Sequence, residues 1–181
     1  MSIKSKNNNE IILSKNIWLG QADAPVTLVE FGDYQSEACA RVHEVIKHVL
    51  PLFKGKVKFN FRHFPLSQVH QYAMKAAEAA VAAAREGKFW EMHEMLFENR
   101  RTLGTISLRS YAREIGIMDK RFLDNLVNSI YSWQVRDDLI EGLQKGVREV
   151  PTFFINGEKF EQEPTTGNLE TAIRQRLANI S

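Results

Sequence analysis

VTLVEFGDYQSEACARVHEVIKHVL, residues 26–50, changes character twice within one short stretch. Val26 to Phe31 is β-branched and nearly continuous in apolar character, which is how a strand buried on both faces reads. Gly32-Asp33 signals a turn. Beyond residue 37, Val42, Ile46, Val49 and Leu50 recur at helical spacing and predict a helix to about residue 50. At the junction stands Ser36-Glu37-Ala38-Cys39, a hydroxyl and a thiol three residues apart at a helix N-terminus.

Outward from this junction the pattern continues. Lys56 to Phe61 alternates Lys or Asn with Val57, Phe59 and Phe61, a second strand of period two. Strand, helix-length crossover and strand imply a parallel pair in a right-handed βαβ unit. Residues 68–146 then read as helix almost throughout. Ala73 to Ala84 is rich in the best helix former, and Gly87, Gly104 and Gly116 punctuate the segments that follow. Strand chemistry returns at Val150 to Ile155, with Pro151 near the start. Asn156-Gly157 is a strong hairpin signal, Glu158 to Phe160 is the returning strand, and a helix closes the chain over about 168–178. The expected order is βαβ, helical block, ββα. All strands should share one sheet, because the second hairpin cannot bury a face alone. The expected divisions are a polar tail at 1–13, a βαβ half at 14–66, a helical insertion at 67–146 and a ββα half at 147–181.

The 181 residues, 44% of them hydrophobic, suit one α/β domain carrying an insertion. Lys and Arg number 24 and Asp and Glu 22. The basic residues look scattered, Arg100-Arg101 being only a pair, and no nucleic-acid partner is expected. No stretch approaches the ~20 apolar residues of a membrane span, and the N-terminus lacks the apolar core of a signal peptide. A cytoplasmic protein with no membrane partner is the default, although the mature form of an exported protein would read the same. No metal or cofactor is implied. Trp90, His93 and Phe97 share one helix face, which indicates packing, while His48, His63 and His70 are isolated in sequence.

Five segments in order carry a resemblance. They are Gly20 to Thr27, Val29 to Gln35, Phe61-Arg62-His63-Phe64-Pro65-Leu66, Gly87 to His93, and Val150 to Gly157. Over about residues 14–179 the chain resembles the DsbA-like disulfide oxidoreductases, which have a thioredoxin-like fold with an all-helical insertion. The resemblance implies thiol–disulfide exchange on protein or peptide thiols. It also implies a cis bond before Pro151, facing the redox motif, and substrate contact at Val150, Glu37 and Ala38. Glu30 takes the place of the acid beneath the redox pair, able to accept the proton of the buried cysteine.

The departure is Ser36. The family has Cys-x-x-Cys where this chain has Ser36-Glu37-Ala38-Cys39, so the nucleophile's sulfur is missing. Exchange needs an attacking thiolate and a resolving thiol, so a two-cysteine cycle within this chain is excluded. Four readings of Ser36 stay open: a cysteine replaced by engineering, a natural loss that leaves a binding module, a hydroxyl that binds or activates glutathione, and a plain helix N-cap. A hydrolytic serine is not expected, since His43 lies about 10 Å along the helix and no G-x-S-x-G elbow surrounds Ser36, unless His63 or His93 folds back onto it. Cys39 and His43 are i,i+4 partners, which keeps single-thiol chemistry open. Glu30 is odd on its own terms: a carboxylate in an apolar strand is costly, and its pKa should rise. Exposure at the strand end is the plain alternative.

Overall fold

In the computed structural model, which describes residues 11–180, a mixed four-stranded sheet lies between two helical layers. The strands are β1 (Val26–Gly32), β2 (Val57–His63), β3 (Thr152–Ile155) and β4 (Glu158–Phe160), in the order β2-β1-β3-β4. β1 and β2 run parallel, with Glu30 opposite Phe61 and Gly32 opposite His63. β3 pairs antiparallel with β1, and β4 antiparallel with β3. The helices are α1 (Glu37–Leu52), α2 (Ala73–Ala84), α3 (Phe89–Glu98), α4 (Thr105–Glu114), α5 (Phe122–Val127), α6 (Ser132–Gln144) and α7 (Thr166–Ala178). α2 to α6 all fall between β2 and β3.

Strand alternation assigns the two sheet faces. Leu28, Phe59, Phe61, Phe153 and Ile155 join the main core with Ile46 and Val49 of α1 and Leu169 and Ile173 of α7. Phe31, Phe64 and Phe154 form a smaller core on the opposite face, their rings meeting edge-on. Eight of the twelve residues of α2 are alanine. That composition favours the helix and keeps most of its surface small, and α3, α4, α5 and α6 all pack against it. The β3–β4 turn has positive φ at Asn156 and Gly157, the two-residue geometry that matches strand twist. Asn156 also extends the β1 ladder, its Oδ1 accepting from the Thr27 N–H at 2.7 Å.

β2 forms as its period of two predicts, but its polar positions Asn60 and Arg62 are buried. Asn60 is held because its Nδ2 donates to the carbonyls of Ser14 and Ile17 at 2.7 and 2.8 Å. Arg62 is held because its Nε donates to Asp138 of α6 at 2.7 Å and its fork grips Glu141. Buried polar groups on an edge strand thus find partners in chain segments that the pattern of β2 alone could not indicate. Of the expected tail, residues 1–10 lie outside the described residues, whereas Ile12 packs against the core.

The other oxygen of Asp138 accepts from the His63 backbone N–H at 3.0 Å, so Arg62 and Asp138 lock the helical block onto the sheet. Arg62→Ala should cost about 3–5 kcal/mol, because it strands a buried carboxylate without its cation. Urea denaturation would measure the loss, and a cost below about 1 kcal/mol would show that the lock is not structural.

Candidate functional site

The turn from β1 to α1 builds the site. Asp33 is fully buried and acts as a triple acceptor: Oδ1 takes the Gln35 N–H at 2.7 Å, while Oδ2 takes the Leu66 N–H at 2.8 Å and faces His70 Nδ1 at 2.9 Å. The first of these bonds is an Asx-turn, which bends the chain out of the strand. The other two pin the segment after β2 against the turn. Gln35 adds a fourth stitch by accepting from the Tyr72 N–H at 2.9 Å. Gly32 is required by close approach, since a Cβ there would lie 2.5 Å from the Phe61 ring.

Ser36 then caps α1. Its φ and ψ of −68° and 128° are extended, and its Oγ accepts from the Cys39 N–H at 3.2 Å. The residue is 6% exposed, and among the described residues neither a histidine nor a carboxylate hydrogen-bonds to its hydroxyl. Cys39 is fully buried and free. Its sulfur accepts from the Asp33 N–H at 3.5 Å. Burial first, then the nearby Glu30, pushes the thiol well above its ordinary pKa and outweighs the Asp33 N–H and Ser36 contacts that would lower it.

Glu30 is 1% exposed, so strand-end exposure does not apply. Its neighbours across the sheet are Phe61 and Phe153, and Oε1 has no hydrogen-bond partner among the described residues. Desolvation alone drives its pKa up to about 8. The Val150–Pro151 peptide is cis and leads directly into β3. Glu37 is the exposed member of the motif, paired with Arg41 at 3.0 Å and Arg100 at 3.4 Å.

The histidines are where the fold adds most. His43, His63 and His93 come from α1, β2 and α3, and all are buried. With Tyr34, Phe61 and Phe97 they form one cluster of rings. His43 lies one turn beyond Cys39 on α1 and is buried. Its Nε2 faces Glu94 at 3.0 Å, and its ring stacks on Phe97. Tyr34 Oη meets His93 Nδ1 at 3.0 Å. Neither ring nitrogen of His63 has a hydrogen-bond partner among the described residues, and burial holds its pKa down to about 4. Among the described residues no group of three or more His, Cys, Asp or Glu is placed to hold a metal ion. The role of Asp33 was legible in principle, as Asp at a strand-ending turn. That of His63 was not, because its neighbours come from distant segments.

These shifts set the pH dependence of stability. Glu30 binds its proton more tightly when folded, so its contribution falls as pH rises from 4.5 to 8. His63 binds its proton less tightly when folded, so its contribution falls as pH drops from 6.5 to 4. The two oppose between 4.5 and 6.5, and above 6.5 only Glu30 acts. Glu30→Gln should therefore abolish a fall in stability of roughly 2 kcal/mol between pH 6.5 and 8. Urea denaturation across that range tests it, and a slope unchanged by the substitution would assign the titration to another group.

Comparisons place this geometry among known proteins. The family model described as Thioredoxin matches residues 13–175. Oxidised BdbD from Bacillus subtilis superposes with a TM-score of 0.78 at 26% identity, over 89% of this chain and 92% of that one. A thioredoxin-like oxidoreductase from Silicibacter pomeroyi superposes with a TM-score of 0.77 over 91% and 92% of the two chains; at 22% identity it shows the fold alone. Among curated relatives, the Na(+)/H(+) antiporter NhaA 1 of Salinispora arenicola is 33% identical over 159 residues, 88% of this chain but 24% of the antiporter. The chain thus spans about a quarter of the length of the curated relatives it matches. Among its described residues no helix is long and apolar enough to cross a membrane.

Proposed function

The chain belongs to the thioredoxin family, and we propose that it carries the thiol–disulfide oxidoreductase site of the DsbA-like type in a form that binds protein or peptide thiols without exchanging disulfides. The observation that carries this reading is the state of the junction. Ser36 occupies the nucleophile's place at the head of α1, and the one sulfur, on Cys39, is buried and held as a thiol. In this reading Glu30 keeps the place of the proton acceptor beneath the redox pair, but burial holds it protonated up to about pH 8 and Cys39 stays a thiol. Val150, cis-Pro151, Glu37 and Ala38 form the lip that meets an extended peptide. A buried thiol with its pKa raised is a poor nucleophile, so single-thiol chemistry at Cys39 is also disfavoured.

Ser36 is 6% exposed and its Oγ already accepts the Cys39 N–H, which weighs against its use on glutathione. Compartment does not alter the reading, because a single sulfur closes no internal bond in either redox environment.

Ser36→Cys tests the proposal. The variant should form a reversible 36–39 disulfide in glutathione buffers of graded poise and pass it to a dithiol peptide. The chain with Ser36 should oxidise that peptide no faster than buffer. A variant that forms no disulfide, or never transfers one, would mean that the surroundings no longer serve exchange.

The likeness to antiporters supports a second reading, in which this domain works beside a cation/proton antiporter as a binding module. Purified domain should then bind such an antiporter in nanodiscs and not empty nanodiscs of neutral lipid. Equal retention on both would remove that reading.

A further inference from the structure

Six of the 24 Lys and Arg residues, but only two of the 22 Asp and Glu, fall within residues 100–121. This stretch carries +4, and the rest of the chain carries −2. The charges are thus concentrated in one stretch, and the fold sets three of them around one cleft. Ile106, Arg109 and Arg113 recur along α4 at three- and four-residue spacing and so share a stripe. Arg109, Arg113 and Lys120 rim a cleft of about 140 Å³, with buried Ile117 and Phe122 among its lining. None of these three cations has an ion-pair partner among the described residues, and the nearby Asp119 is already engaged by Arg121 through both oxygens. Beside them Ile106 and Met118 are 72% and 73% exposed.

Unpaired cations alone describe a solvated surface. Two protruding apolar side chains among them ask for a partner that is anionic and also accepts apolar groups. A bilayer of anionic lipids meets both demands without shape matching, as phosphates lie at headgroup level and the acyl boundary lies just beneath. A folded acidic protein would meet the charges but would need a matching pocket for each apolar prong. We propose that the exposed stripe of α4, with residues 117–121, is a peripheral contact surface for an anionic phospholipid membrane. It is a contact and not a span. It departs from the sequence expectation of no membrane partner, and it does not rest on the redox reading of Ser36.

Sedimentation of the full chain with vesicles of phosphatidylcholine, with and without phosphatidylglycerol, tests the proposal. Binding should require phosphatidylglycerol and weaken as salt is raised. Arg109→Glu with Arg113→Glu should reduce it roughly tenfold or more. Ile106→Ser with Met118→Ser should weaken it at unchanged salt dependence. All four side chains are exposed, so the variants should keep the parent Tm, which is measured alongside. Three results would each overturn the proposal: no binding, equal binding to both lipids, or full binding by the charge-reversed variant. Capture of soluble polyglutamate without vesicle binding would assign the surface to an acidic protein instead.

Discussion

The carboxylate of Asp33 is bound on three sides, by the Gln35 amide within its own turn, by the Leu66 amide beyond β2 and by the His70 ring. Because it is buried, each of those bonds forms where water cannot compete, and losing one partner would leave an unmet acceptor. The arrangement of the rest of the site follows. The turn sends the chain into α1 with Ser36 at the cap, and the cap places Cys39 one turn down, facing the core. The Asp33 amide reaches that sulfur as well, so a single residue joins the turn, the thiol and the neighbouring loop.

Behind this turn lies an interior with more ionisable groups than a plain core would hold. Glu30, His43, His63 and His93 are all buried, and Glu30 and His63 have polar atoms without partners. Glu30, His63 and His93 are costly to charge in a low-dielectric interior and persist by staying neutral. A site built for stability alone would replace them with apolar side chains of similar size.

The helical block is fastened elsewhere. Arg62 reaches from β2 to Asp138 and Glu141 of α6, and its guanidinium also lies over the Phe31 ring. α2, stripped to alanine, lets the other helices of the block close around it. The same block carries the cationic stripe of α4 on the outside. Its inner surface is thus committed to packing, while its outer surface is free to meet a partner.

Much of this was legible before any fold was drawn. The apolar run at 26–31, the helical spacing after Ser36, the alanines of 73–84 and the Asn156-Gly157 turn are local signals, and each is set by backbone preference or side-chain period over a few residues. The missing sulfur was equally plain, because covalent chemistry depends on which atoms are present. Tertiary structure alone decided what those atoms experience. Glu30 could have been exposed or buried, and the strands on either side of β1 buried it. His43 could have been exposed, and α3 buried it with Glu94 at its Nε2 and Phe97 against its ring. Asn60 and Arg62 took buried positions because distant segments supplied their partners. Period and propensity act over a turn or a strand, whereas desolvation and hydrogen-bond satisfaction depend on neighbours that only the folded chain brings together.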